Sequence, residues 1–179
     1  MSSTRMMIGG LAVAALVAGC ASRQEVRPVQ RASLPKLPRP AVPALSPADY
    51  VANAGAIDLY VIKASELALR RSTTRKVHDV ATRLISAHQG SSAQLSFGGR
   101  RLNLLPSAEI PPHYQALIDQ LSASANFDRD YALQMRAVHQ QAIALHSNYA
   151  AFGTSPTLIP IAKALAPVME QQGRLISYL

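Results

Sequence analysis

A chain of 179 residues has room for one domain with appendages, and its 49% hydrophobic content excludes a disordered chain. With aromatics at 5% and no tryptophan, aliphatic side chains must fill the interior. Lys and Arg outnumber Asp and Glu by 18 to 10, a formal charge of +8, and a single cysteine excludes an intrachain disulfide framework.

The first element is an export signal. Arg5 supplies a positive flank, and Met6 to Ala18 form an uncharged apolar stretch of 13 residues, followed by small ones. That stretch is too short for a spanning helix, which needs about 20 apolar residues. Val17, Ala18, Gly19 and Cys20 then resemble the bacterial lipobox, where a peptidase cuts before a cysteine that already carries a diacylglyceryl group. The resemblance implies that residues 1–19 are removed and that Cys20 becomes an acylated N-terminus, several acyl chains giving durable anchoring where one is marginal. Ala21 stands where aspartate would mark inner-membrane retention, so the expected location is the outer membrane, facing the periplasm.

Residues 20–46 read as a lipid-anchored tether. Prolines at 28, 35, 38, 40 and 43 alternate with basic and small residues, and no hydrophobic period survives. Arg23, Arg27, Arg31, Lys36 and Arg39 against Glu25 give this segment +4, which leaves +3 for the folded domain once Arg5 is cleaved away. Such a cationic tether beside a membrane suits anionic lipid headgroups or peptidoglycan. Export and the absence of any recognition motif exclude nucleic acid as a partner.

From Pro47 to the C-terminus the period is helical. Ser46, Pro47 and Asp49 give an N-cap, a first-turn proline and a capping-box acid, predicting a helix to about Arg70 with Val51, Ala54, Asp58, Ile62, Ser65 and Leu69 on one face. A second helix follows the turn at Ser72 to Thr74, its seam running Val77, Ala81, Leu84, His88, Ser91, Leu95 until Gly98 and Gly99 break it. Pro112 opens a short helix to about Ser122. A long one starts near Asn126 with Asp128, Tyr131, Met135, His139 or Val138, Ala142, His146 or Leu145, and Tyr149 along its face. The last carries Leu158, Ile161, Leu165, Val168, Gln172, Ile176 and Leu179, with Pro167 inside it. No strand pattern occurs, so the expected fold is all-α: an antiparallel four-helix bundle with one short extra helix, over residues 47–179.

Asp58, then His88, Gly98-Gly99 before Leu105-Pro106, and Phe127-Asp128-Arg129-Asp130-Tyr131 followed by His139-Gln140 resemble domain-of-unknown-function family 4142, over roughly residues 48 to 178. The resemblance implies a ferritin-like bundle and an exported location rather than a reaction. It also implies polar positions in four helices, falling here on Asp58, His88 and His139, with Gln172 where the family often has histidine. An amide is a weaker metal ligand than imidazole, so an inherited metal site would be incomplete. A di-iron centre is excluded, because paired Glu-x-x-His motifs are absent and Glu66, Glu109 and Glu170 are the domain's only glutamates.

Asp58, His88, Asp128, Tyr131, His139 and Gln172 therefore read as a buried polar network fixing helix register, with a divalent transition metal or small ligand as the alternative. No cofactor is expected. Without a Ser-His-Asp signature, an activated cysteine or a phosphate loop, the chain reads as non-enzymatic, an envelope protein with a binding, structural or stress-related role. Arg70, Arg71, Arg75 and Lys76 surround the first interhelical turn, and the second pair opposes the dipole of its helix, which marks a candidate contact for anionic lipid or peptidoglycan.

Overall fold

The computed structural model describes residues 45–179; the signal segment, Cys20 and most of the proline-rich tether lie outside them. Five helices follow in order: α1 (Pro47–Arg71), α2 (Arg75–Arg100), α3 (Pro112–Ala123), α4 (Phe127–Phe152) and α5 (Leu158–Ile176). The Ser46 side chain accepts from the Asp49 backbone N–H and its hydroxyl donates to the Asp49 carboxylate, so α1 starts where its sequence signals place it.

Short turns make α1/α2 and α4/α5 antiparallel hairpins, while α1 packs on α4 and α2 on α5. Around the bundle the order is thus α1, α2, α5, α4. Across α1 and α4, Tyr50 meets His146, Tyr60 meets Gln134 and Ser65 meets Tyr131, numbers rising on one helix as they fall on the other. Those two helices are therefore antiparallel, which makes α2 and α4 parallel. The chain must then travel the length of the bundle between them, and residues 101–126 do so by way of α3, packed on α1 and α4. One long crossover is the connectivity of ferritin-like bundles.

Two expectations shift. Gly98 and Gly99 do not end α2, which continues to Arg100. Their role is close approach: a Cβ on Gly99 would collide with the Leu104 carbonyl, where the chain doubles back through Asn103 at φ 55° and Leu104 N–H donates to the Gly99 carbonyl. Leu69 lies outside the core, and Ala68 takes its place. With neighbours on three sides α1 buries two adjacent stripes, Tyr50, Ile57, Tyr60 and Val61 among them, rather than one. Among the described residues no helix is long and apolar enough to cross a membrane.

Candidate functional site

At one level of the bundle each of its four helices contributes a polar side chain: Asp58 from α1, His88 from α2, His139 from α4 and Gln172 from α5. Hairpin symmetry places them together. Asp58 and His88 lie equally far on either side of Thr73, and His139 and Gln172 nearly so about the turn at Ser155 and Pro156. All four are buried, none more than 4% exposed.

The links form a chain. His88 Nδ1 lies 2.7 Å from Asp58 Oδ1, while the Ser92 hydroxyl donates to Asp58 Oδ2 at 3.1 Å. On the far side His88 Nε2 faces His139 Nε2 at 3.3 Å, the rings edge-on at 90°. His139 Nδ1 is 2.9 Å from the Met135 carbonyl, and its Nε2 is 3.1 Å from Gln172 Oε1.

The acceptors decide where the protons are. A carbonyl can only accept, so His139 Nδ1 carries a proton and donates it to Met135. The Asp58 carboxylate likewise takes the Nδ1 proton of His88. Both Nε2 atoms then present lone pairs, and the Gln172 amide beside His139, whose NH2 has no other partner among the described residues, can turn that NH2 to donate to His139 Nε2 or present its oxygen to a cation. Two lone pairs at one junction suit a positive charge: either one extra proton, shared along the Nε2 to Nε2 line, or a metal ion. Burial, and then the neighbouring His88, push His139 down to about 4 from 6.5.

Beside this chain lies a second polar group. Tyr50 Oη is 2.9 Å from His146 Nδ1, and the Tyr50 ring stacks on Tyr149 at 3.9 Å. Burial pushes His146 down to about 4, so this ring is neutral at physiological pH. His146 was legible only as one of two candidates for its face, and Tyr50 not at all, because a tyrosine in a first helical turn gives no sign of what its hydroxyl meets.

Asp128 and Tyr131 stand apart from the junction. Asp128 is only half buried at the start of α4, where it accepts from the Thr74 hydroxyl and ties down the N-cap of α2. Tyr131, fully buried, shares a 2.9 Å hydrogen bond with Ser65, and burial raises its phenol to about 12. Both follow the predicted stripe of α4 but lie toward its N-terminal end. Of the basic cluster, Arg71 is engaged within the fold, its guanidinium donating to the Ser122 and Ser124 carbonyls at the end of α3 and covering the Phe127 ring. Arg70, Arg75 and Lys76 remain exposed, Arg75 only 4.0 Å from Asp79.

Fold and site together define a four-helix bundle with a histidine-centred polar chain through its interior. The chain belongs to the family described as Domain of unknown function (DUF4142), matched over residues 33–177. No curated protein matches it. Among solved structures it is similar to CopM in the Cu(II)-bound form, at 15% identity and a TM-score of 0.64, over 76% of this chain and 96% of that one. At that identity the likeness shows the fold.

Proposed function

We propose that this is an exported, lipid-anchored, non-enzymatic protein of the cell envelope whose bundle binds one transition-metal ion between His88 and His139. A single observation carries the metal reading: two imidazole Nε2 atoms converge at 3.3 Å while each Nδ1 is held by a carboxylate or a backbone carbonyl. Metal-bound histidines are oriented in that way. Two nitrogens bound to one tetrahedral ion at about 2.0–2.1 Å would stand roughly 3.3 Å apart. Gln172 Oε1 would be a third, weaker donor. Among the described residues no cluster of three His, Cys, Asp or Glu could hold a metal ion. The amide at Gln172 therefore favours modest affinity and an ion suited to imidazole, such as copper or zinc. CopM, a bundle of the same fold, is described in a Cu(II)-bound form, which makes copper the first ion to test.

The mature chain should retain about one copper ion after surface-bound metal has been stripped by a chelator, and His88→Ala and His139→Ala should each abolish that retention. Equal retention by wild type and both variants, or none by wild type, would refute the reading.

The anchor rests on the lipobox at Val17 to Cys20, which lies outside the described residues. Cys20→Ser should leave an unprocessed or mislocalised precursor without fatty-acid label, whereas normal membrane fractionation and labelling of that variant would contradict the anchor. The cationic tether, with Arg70, Arg75 and Lys76 on the bundle, supports contact with anionic headgroups or peptidoglycan.

A further inference from the structure

The histidine junction has one flank close to solvent. A cleft of about 460 Å³ runs between α4 and α5, lined by Arg136, His139 and Ile143 on one side and Glu170, Gly173 and Arg174 on the other. Positions 136, 139 and 143 recur at helical spacing, as do 170, 173 and 174, so the cleft is the outer groove of this hairpin. His139, only 1% exposed, forms part of its wall, and Gln172 is the chain neighbour of Gly173.

Gly173 has no local need to be glycine. It lies within α5 at no unusual φ, and a Cβ there would meet Ile143 Cδ1 at 3.5 Å, an ordinary contact. Alanine would favour the helix. What the glycine does is leave the groove open beside His139, where a longer side chain would project into the space above Ile143.

We propose that the groove between α4 and α5 is the port through which a metal ion reaches and leaves the His88–His139 junction, a proposal that rests on the metal reading above. Charge at the mouth sets the rate. Arg136, Arg174 and Glu170 form no ion pairs among the described residues, so the mouth carries one net positive charge that slows a bare cation. Gln172, the chain neighbour of Gly173, meets His139 through its amide, and its NH2 is free of other partners among the described residues, so the amide is able to turn as the ion passes.

The test follows filling of the mature chain by aqueous Cu(II), quenched at intervals with excess chelator, and release of the retained ion into the chelator. Gly173→Leu should slow filling and release together by about tenfold or more with the final amount unchanged, and Gly173→Ala should fall between it and wild type. Arg174→Gln should accelerate filling about two- to fivefold at low ionic strength, an effect that vanishes in high salt. Arg174 is exposed, so this gain of rate carries the test even if the leucine variant does not fold. Unchanged rates in Arg174→Gln, or in a folded Gly173→Leu, would overturn the port while leaving the metal reading standing. A wild-type chain that retains no copper would defeat both.

Discussion

Replacing Asp58 by alanine lowers the unfolding free energy by about 2–4 kcal/mol, the sum of a buried donor left without its acceptor and the cavity left behind. The carboxylate accepts from two donors, His88 Nδ1 at 2.7 Å and the Ser92 hydroxyl at 3.1 Å, and is itself 1% exposed. Alanine strands the fully buried His88 donor, leaves the half-buried Ser92 hydroxyl to water, and opens a small cavity. Asp58→Asn should cost less, about 1–2 kcal/mol, because an amide oxygen can still accept from His88 while the charge is lost. Urea melts of wild type and the two variants give the comparison. Equal losses for alanine and asparagine would mean that shape rather than acceptor chemistry matters at this position.

Acid should weaken the fold in a defined window. His139 and His146 are held at about 4 by burial, against 6.5 for the free side chain. Above pH 6.5 both are neutral whether the chain is folded or not, and their contribution to stability is complete. As pH falls from 6.5 the unfolded chain takes up protons that the folded one refuses, and stability is lost until about pH 4, where the folded rings protonate as well. At about 1.4 kcal/mol per pH unit the interval corresponds to roughly 3 kcal/mol for each histidine. The pair together would remove about half or more of an ordinary domain's stability of 5–15 kcal/mol. Melts between pH 7 and 4 should show this fall, and His146→Phe should flatten it by close to half. A stability that stays level across that range would contradict the burial of neutral imidazoles. The same protons compete with metal at the Nε2 atoms, so retained copper should decline over the same interval.

Helical phase made most of the fold legible, because a residue's angle about its helix axis follows from spacing alone. Phase also put Asp58, His88, His139 and Gln172 on the faces that meet. Depth along the axis is different. For the two hairpins it could be counted outward from short turns, which is how Asp58 comes to face His88 and His139 to face Gln172. For α1 against α4 no short turn connects the helices, and their register comes from the packing of α3 in the crossover. Pairings such as Tyr50 with His146 and Tyr60 with Gln134 were hidden for that reason. Asp128 and Tyr131 share the predicted stripe with His139 but lie two or three turns from it along α4, a depth their spacing already carries, and there they meet Thr74 and Ser65. Gly98 and Gly99 misled in another way. Glycine weakens a helix by about 1 kcal/mol against alanine, a cost that the packing of Leu104 against Gly99 and of Ile161 against Gly98 outweighs.

A metal ion shared by His88 and His139 through their Nε2 atoms would mark those two rings and spare the others. Imidazole nitrogen-15 spectra of the mature chain, recorded before and after one equivalent of a diamagnetic ion, Cu(I) or Zn(II), test it at the atoms concerned. The Nε2 resonances of His88 and His139 should move together to metal-bound positions, their Nδ1 atoms should keep their protons, and exposed His113 and half-buried His78 should be spared at that stoichiometry. An added ion that moves only His78 or His113, with a proton still held between the two buried rings, would make the chain a hydrogen-bonded register device and contradict the claim.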